Sequence, residues 1–123
     1  MFKTVLLALL LLLSASVVAE TLDGLWRLED KPVWITIASD AGLVSYSKDD
    51  PDAQGKTLLR NLRVTNVDNR WQGQIYVKQL KAYKDADIIL ISSDSMDITV
   101  KVGFMRRTVT WQRSTAIPKF KEE

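Results

Sequence analysis

Apolar and polar residues alternate along most of the chain from residue 24 to residue 113, and this period of two is typical of β-strands that bury one face. The spacing expected of an amphipathic helix is nearly absent. Clusters of Asp, Asn, Ser and Gly interrupt the alternation, for example at residues 39–42 and 66–69. The pattern therefore predicts eight strands, at residues 24–29, 33–38, 43–48, 57–65, 70–77, 86–92, 97–104 and 107–113.

The alternation also predicts which side chains face the core. The seventh strand has the clearest apolar stripe, formed by Ile98, Val100, Val102 and Phe104. The fourth strand places Arg60 on the same predicted inner face as Leu58, Leu62 and Val64. A buried cation needs an acidic partner or an anionic ligand group, so Arg60 is a candidate ligand contact. A strand-end position or a shifted register is the alternative.

Eight consecutive strands with short connections indicate an all-β, antiparallel up-and-down barrel. Closing the sheet removes the exposed edges that would otherwise invite aggregation. A two-sheet sandwich is the alternative architecture. Residues 78–85 are compatible either with an extension of a strand or with one helical turn, and the sequence does not separate the two.

The N-terminus has the three parts of a secretory signal peptide. Lys3 precedes an unbroken apolar run from residue 5 to residue 13, and small residues lead to Ala19. The run is about half of the roughly 20 residues that a spanning helix needs, so cleavage after Ala19 is favoured over an uncleaved anchor. The predicted organisation is a signal peptide at 1–19, a barrel domain at 20–114 and a flexible tail at 115–123.

Composition restricts the chemistry that this domain can perform. The chain of 123 residues has no His and no Cys, which excludes Cys/His zinc sites, Ser-His-Asp triads and disulfides. The acidic run at residues 49–52 lacks the spacing of a calcium loop and indicates a solvated loop. A net charge of +2 is too small to indicate a nucleic-acid partner. We therefore expect no enzymatic activity, no metal, no cofactor and no stable membrane span.

Two short motifs at the ends of the predicted barrel resemble the structural signature of the calycin barrels, which include the lipocalins. Gly24 and Trp26 form a Gly-x-Trp on the first strand, and Trp111 and Arg113 lie on the last strand. The resemblance implies that the arginine packs over the tryptophan ring and closes one end of the barrel. It thus implies a structural clamp that contains Gly24, Trp26, Trp111 and Arg113.

Residues 22–114 also resemble the bacterial secreted family called domain of unknown function 2147. The likeness rests on Trp-Gln-Gly-Gln-Ile-Tyr at residues 71–76 and on Arg-Thr-Val-Thr-Trp-Gln-Arg at residues 107–113. The chain departs from the family pattern by a Lys-rich stretch at 78–84. The resemblance implies an exported, lipocalin-like protein of the bacterial periplasm or medium, and it implies no established activity.

An eight-stranded barrel has an interior just large enough for side chains or for one small ligand. We therefore predict a protein that binds a small apolar or amphipathic molecule, with one inward polar group that orients it. The predicted ligand contacts are Arg60, Tyr46, Trp71, Ile75, Val102 and Phe104. The alternative is an envelope protein-interaction module with a filled core, in which a protein partner contacts the outward aromatics Trp34 and Tyr76 and the loop at 49–56.

Overall fold

The structure is a computed structural model that describes residues 21–117. The predicted signal peptide at 1–19 and residues 118–123 of the predicted tail lie outside the described residues. Within the described part of the chain, no helix has the length and apolar character needed to cross a bilayer.

The described residues form eight antiparallel strands, each paired with the next along the chain, and β1 pairs with β8 to close the sheet. This topology confirms the predicted all-β up-and-down barrel, and the sandwich alternative is wrong. A short 3₁₀ helix at Pro51–Ala53 lies between the third and fourth strands. The strands are β1 Gly24–Leu28, β2 Val33–Ala38, β3 Ala41–Ser47, β4 Thr57–Val64, β5 Arg70–Val77, β6 Ala82–Ser92, β7 Ser95–Val102 and β8 Met105–Arg113.

The bounds of β2 and β5 are those that the alternation predicts, whereas the other six strands differ by one to four residues at one or both ends. β6 begins at Ala82, so the undecided stretch at 78–85 consists of a turn followed by a strand. β7 ends at Val102 because Gly103, at φ +62°, starts the turn to β8. Only glycine adopts this left-handed conformation without steric cost.

The up-and-down order gives the barrel two distinct ends, because alternate turns lie at the same end. We call one the closed end, which holds residues 21–23 and the turns at 39–40, 65–69 and 93–94. The other is the open end, with the connections at 29–32, 48–56, 78–81 and 103–104.

The interior is packed most tightly away from the open end. The largest fully buried side chains are Trp26, Trp111, Ile35, Ile37, Leu59, Ile88, Met96 and Ile98. Leu28, Val33, Val77 and Val102, which lie next to the open-end connections, are only partly buried against this core. Leu62 and Trp71 near the closed end are also only partly buried. Apolar burial at about 25 cal/mol per Å² thus stabilises the barrel chiefly through its middle.

A bulge in β4 places Arg60 on the outer face, against the prediction, while Leu58 and Leu62 pack against the core as predicted. The pairing of β4 with β5 shifts between Arg60 and Arg63, where Asn61 has φ +55°. Because an extra residue reverses the alternation, Leu59 is fully buried and Leu62 packs against the core three positions later. Val64, predicted to face inward, is 75% exposed.

Gly73 on β5 accommodates this bulge. A Cβ at position 73 would lie 2.9 Å from Cδ2 of Leu62 and 3.0 Å from the carbonyl oxygen of Arg60. We expect Gly73→Ala to lower the free energy of unfolding by about 1–3 kcal/mol, since the clash is partly with backbone. Urea denaturation measures this change. Val64→Ala, an exposed change on the neighbouring strand, is the control, and equal midpoints for both variants would contradict the expectation.

Candidate functional site

The closed end is built around an arginine stacked on a buried indole. Trp26 on β1 is 0% exposed, and Cζ of Arg113 on β8 lies 4.2 Å from the centroid of its ring. The two residues are direct cross-strand partners where β1 meets β8. A guanidinium over an indole face gains cation–π attraction, so this contact joins the first and last strands of the barrel.

The same guanidinium holds the segment that precedes β1. Arg113 donates from Nε to the carbonyl of Ser93 at 2.7 Å and from Nη1 to the carbonyl of Asp23 at 2.9 Å. Its Nη2 donates to the carbonyl of Thr21 at 3.4 Å. Nε1 of Trp26 donates to the carbonyl of Leu22 at 2.8 Å. The planar guanidinium of arginine thus donates hydrogen bonds to three carbonyls at once. A lysine ammonium, which lacks this fixed arrangement of donors, would fit the three carbonyls less well.

Gly24 allows this close approach. It has φ +133°, and a Cβ at this position would lie 2.8 Å from Nη1 of Arg113. The structure therefore brings together Gly24, Trp26 and Arg113 of the implied clamp. Trp111, the fourth residue, is 1% exposed and pairs with Leu28 one step further into the barrel.

The open end leads into a cavity of about 690 Å³. Inward side chains from most of the strands form its wall, and Trp111 is part of its lining. Ser47, which is 3% exposed, adds a hydroxyl that accepts a hydrogen bond from the backbone N–H of Asp50. The apolar lining residues are Leu28, Pro32, Val33, Val44, Ala53, Leu58, Ile75, Tyr76, Val77, Val100, Val102, Val109 and Trp111. The charged lining residues are Asp30, Lys31, Asp49, Asp50, Lys56, Lys78 and Arg107.

Arg107 is the cationic residue at the open end of the inward row of β8. It pairs with the buried Val100, just as Val109 pairs with Ile98, so its side chain starts from the inner face of the sheet. Arg107 lines the cavity at its exposed entrance. Among the described residues its side chain forms no ion pair or hydrogen bond. It is therefore placed to meet an anionic group at the cavity mouth.

Sequence reasoning missed Arg107 although the signal was present. The inward row Val109, Trp111 and Arg113 extends back by one period of two to residue 107. The predicted strand begins at residue 107, which makes Arg107 a strand-end residue. In the structure β8 begins at Met105, so Arg107 lies within the strand and pairs with Val100.

Of the six predicted ligand contacts, the cavity lining includes Ile75 and Val102. The predictions for Tyr46 and Arg60 are wrong, because both side chains lie on the outer face. In β3 the register shifts so that Ile35 pairs with Val44 while Trp34 pairs with Tyr46. The extra residue turns Tyr46 outward, as the bulge in β4 does for Arg60.

The predictions for Trp71 and Phe104 also need correction. Trp71 is half-buried at the closed end, where it lines a separate pocket of about 460 Å³ with Leu22 and Leu62. Phe104 occupies the turn after Gly103 and is 97% exposed, because β7 ends before it. Neither ring lines the open-end cavity.

Trp34 points to the outer face of the sheet yet is only 4% exposed. Its Nε1 donates to Oγ of Ser114 at 3.3 Å, and Tyr46 packs against it with ring centroids 5.8 Å apart. Cζ of Arg27 lies 5.1 Å from its centroid. The expectation that Trp34 offers an exposed contact surface is therefore wrong, since its own neighbours cover it.

A second outer cluster surrounds Tyr83 on β6. Its hydroxyl donates to the carbonyl of Thr57 at 2.7 Å, and its ring meets Tyr76 edge-on at 5.3 Å. Arg60 stacks on the same ring at 3.7 Å and donates from Nε to Oε1 of Gln74 at 2.9 Å. Arg60 is therefore a surface residue, and its contacts with Gln74 and Tyr83 connect β4 to β5 and β6.

No family model, curated protein or solved structure matches the chain. The resemblance to the domain of unknown function 2147 family therefore stays a prediction. Within residues 21–117, no group of three acidic side chains could hold a metal ion.

Proposed function

We propose that this protein binds a small apolar or amphipathic molecule inside the open end of its barrel. The observation that carries the proposal is the cavity of about 690 Å³. Small-molecule sites usually measure about 300–1,000 Å³ and have mainly apolar walls with a few polar groups. The aliphatic inner wall with Ser47 fits that description, and the charged side chains of the lining, including Arg107, belong to the residues around the mouth.

Binding would be driven by the removal of apolar surface from water. Each 100 Å² of apolar ligand surface that the wall covers contributes about 2.5 kcal/mol before the costs of association. The ring of Trp111 and the packed core beyond it form the floor, so a ligand enters from the open end and stops there. The clamp at Arg113 then acts on stability and not on ligand contact.

Arg107 takes the orienting role that the sequence suggested for Arg60 or Tyr46. It lies at the entrance while the wall below it is aliphatic. An amphiphile with an acidic head group would place its chain against Val100 and Val109 and its head beside the guanidinium. Guanidinium–carboxylate hydrogen bonds are charge-assisted and stronger than neutral ones.

Two observations support a ligand binder over the protein-interaction module. That alternative relied on a filled core and on an exposed Trp34. The open end contains a cavity, and the side chains around Trp34 cover it. Tyr76, at 37% exposure and in contact with Tyr83, is the aromatic that remains for such a surface.

Native mass spectrometry and thermal-shift assays with dodecanoate, dodecanol and dodecylamine test the proposal. We expect one bound molecule per chain and a raised melting temperature with dodecanoate and dodecanol. The absence of any bound molecule and of any thermal shift across this panel would overturn it.

We expect Arg107→Gln to weaken dodecanoate binding about fivefold to tenfold and to leave dodecanol binding nearly unchanged, as the loss of one charge-assisted contact predicts. Titration of the protein with each amphiphile, followed by tryptophan fluorescence, measures both affinities. Arg63→Gln, on the outer face at the closed end, is the matched control. An equal loss of affinity for dodecanoate and dodecanol would show that Arg107 does not interact with the charged head group.

A further inference from the structure

Two hairpin turns at the open end expose large apolar side chains. In the β7–β8 hairpin, Phe104 is 97% exposed and Met105 is 65% exposed. In the β5–β6 hairpin, Leu80 is 44% exposed at the tip of the turn. None of these side chains belongs to the barrel core, so packing within the chain does not explain them.

The residues around both tips are basic and contain no acid. The β7–β8 tip is flanked by Lys101, Arg106 and Arg107, and residues 101–107 include no Asp or Glu. The β5–β6 turn carries Lys78 and Lys81, and residues 77–84 are likewise free of acids. The other two connections at this end contain five acids, Glu29, Asp30, Asp49, Asp50 and Asp52, together with three lysines, Lys31, Lys48 and Lys56. All of the acids in the four connections therefore lie on one side of the mouth, and the other side carries only basic charge.

The two tips are neighbours, because β6 and β7 pair along most of their length. Strands in a sheet lie about 4.8 Å apart, so the tips of adjacent hairpins are roughly 10 Å apart. We call this surface the basic–apolar lip, which comprises residues 78–81 and 101–106. One salt bridge, from Lys78 to Asp50 at 3.7 Å, connects it to the acidic side, and the Lys78 side chain is 84% exposed.

We propose that the basic–apolar lip docks on the surface of a bilayer that contains anionic lipids. Exposed apolar side chains beside Lys and Arg are the composition that peripheral membrane segments use. The apolar groups enter the interface while the cations meet lipid head groups. The acidic residues across the mouth would face away from such a surface. Charge complementarity thus selects both the partner and the orientation.

Docking in this orientation has a consequence for the cavity. Val102 and Arg107 line the cavity and also flank the tip that carries Phe104. The cavity mouth would therefore lie beside the head groups, where an amphiphile could exchange with the bilayer without crossing bulk water. Lys78, Gln79 and Val102 belong both to the lip and to the cavity lining, whereas Leu80, Phe104, Met105 and Arg106 do not line the cavity. Docking through these exposed side chains therefore does not require the proposed ligand.

Co-sedimentation of the ligand-free protein with vesicles tests the inference. We expect binding to vesicles of equal parts phosphatidylglycerol and phosphatidylcholine, weak binding to phosphatidylcholine alone, and loss of binding in high salt. Phe104→Ser should weaken binding to the mixed vesicles about tenfold, and Arg106→Gln about fivefold. Circular dichroism confirms that each variant retains its fold.

Matched variants at the closed end separate docking from a general loss of apolar or basic surface. Val67→Ser removes a side chain that is 52% exposed in the β4–β5 turn, and Arg70→Gln removes an exposed cation nearby. Both should bind vesicles as the wild type does. The proposal would be overturned if the closed-end variants weakened vesicle binding as much as the open-end variants do. It would also be overturned if the wild type did not bind the mixed vesicles. A dimer that Phe104→Ser dissociates, without vesicle binding, would instead assign the lip to a second copy.

Discussion

Substituting Arg113 by alanine is expected to lower the melting temperature by about 10–20 °C, which corresponds to about 2–3 kcal/mol in a domain of this size. The substitution removes the guanidinium from the face of Trp26 and leaves three carbonyls without their donor. The segment at residues 21–23 then loses its attachment to β8, and the closed end opens. Thermal scans by circular dichroism measure the effect.

Two variants show whether geometry or charge is responsible. Arg113→Lys keeps the charge but lacks the planar fork, so we expect a loss of stability between those of the wild type and the alanine variant. Arg63→Ala removes an exposed arginine from the same end and should change the melting temperature little. Dodecanoate affinity should be nearly unaffected in Arg113→Ala below its melting temperature. A melting temperature within about 2 °C of the wild type would mean that the clamp does not hold the barrel closed.

Filling the cavity is expected to weaken ligand binding strongly. Val100 on β7 faces the cavity and is 8% exposed, so Val100→Trp places an indole in the space that the ligand would occupy. We expect the affinity for dodecanol to fall at least about tenfold, a change of about 1.4 kcal/mol. The stability should fall less than for a tryptophan introduced into a packed core, because the new ring enters empty volume. Isothermal titration calorimetry measures the affinity.

Thr99→Trp is the matched control, since residue 99 precedes Val100 on the same strand and faces outward beside Thr108. It adds the same indole without entering the cavity and should leave dodecanol binding intact. If Val100→Trp still bound dodecanol with wild-type affinity, the ligand site would have to lie elsewhere. Vesicle binding by Val100→Trp should be retained, which keeps this test independent of the docking surface.

The strands themselves could be predicted because they depend on a local pattern. The bounds of β2 and β5 follow from the period of two and from the turn residues that flank them. The packing of Arg113 on Trp26 was also predicted, because the resemblance of the first and last strands to the calycin barrels implied it. Closure of the sheet then brings the first and last strands together.

The faces of β3 and β4 could not be predicted, because a bulge depends on the partner strand. Near Asn61 the alternation is ambiguous, because Leu58 and Leu59 are adjacent and either face of an unbroken strand would carry one mismatched residue. Which residue is left unpaired is decided by the pairing with the neighbouring strand. A single extra residue reverses every side chain beyond it. This is why Arg60 and Tyr46 were placed in the cavity and lie outside it.

What the sequence by itself determined was the kind of fold, period-two strands in one all-β barrel, and a composition without the His and Cys that Cys/His zinc sites, Ser-His-Asp triads and disulfides need. Only the tertiary structure decided where the barrel is filled and where it is hollow. It also showed that Arg107 stands at the mouth and that Phe104 projects from it. Those features depend on the strand register and on which turns lie at which end of the barrel. Register and turn placement are both set by contacts between residues far apart in the chain.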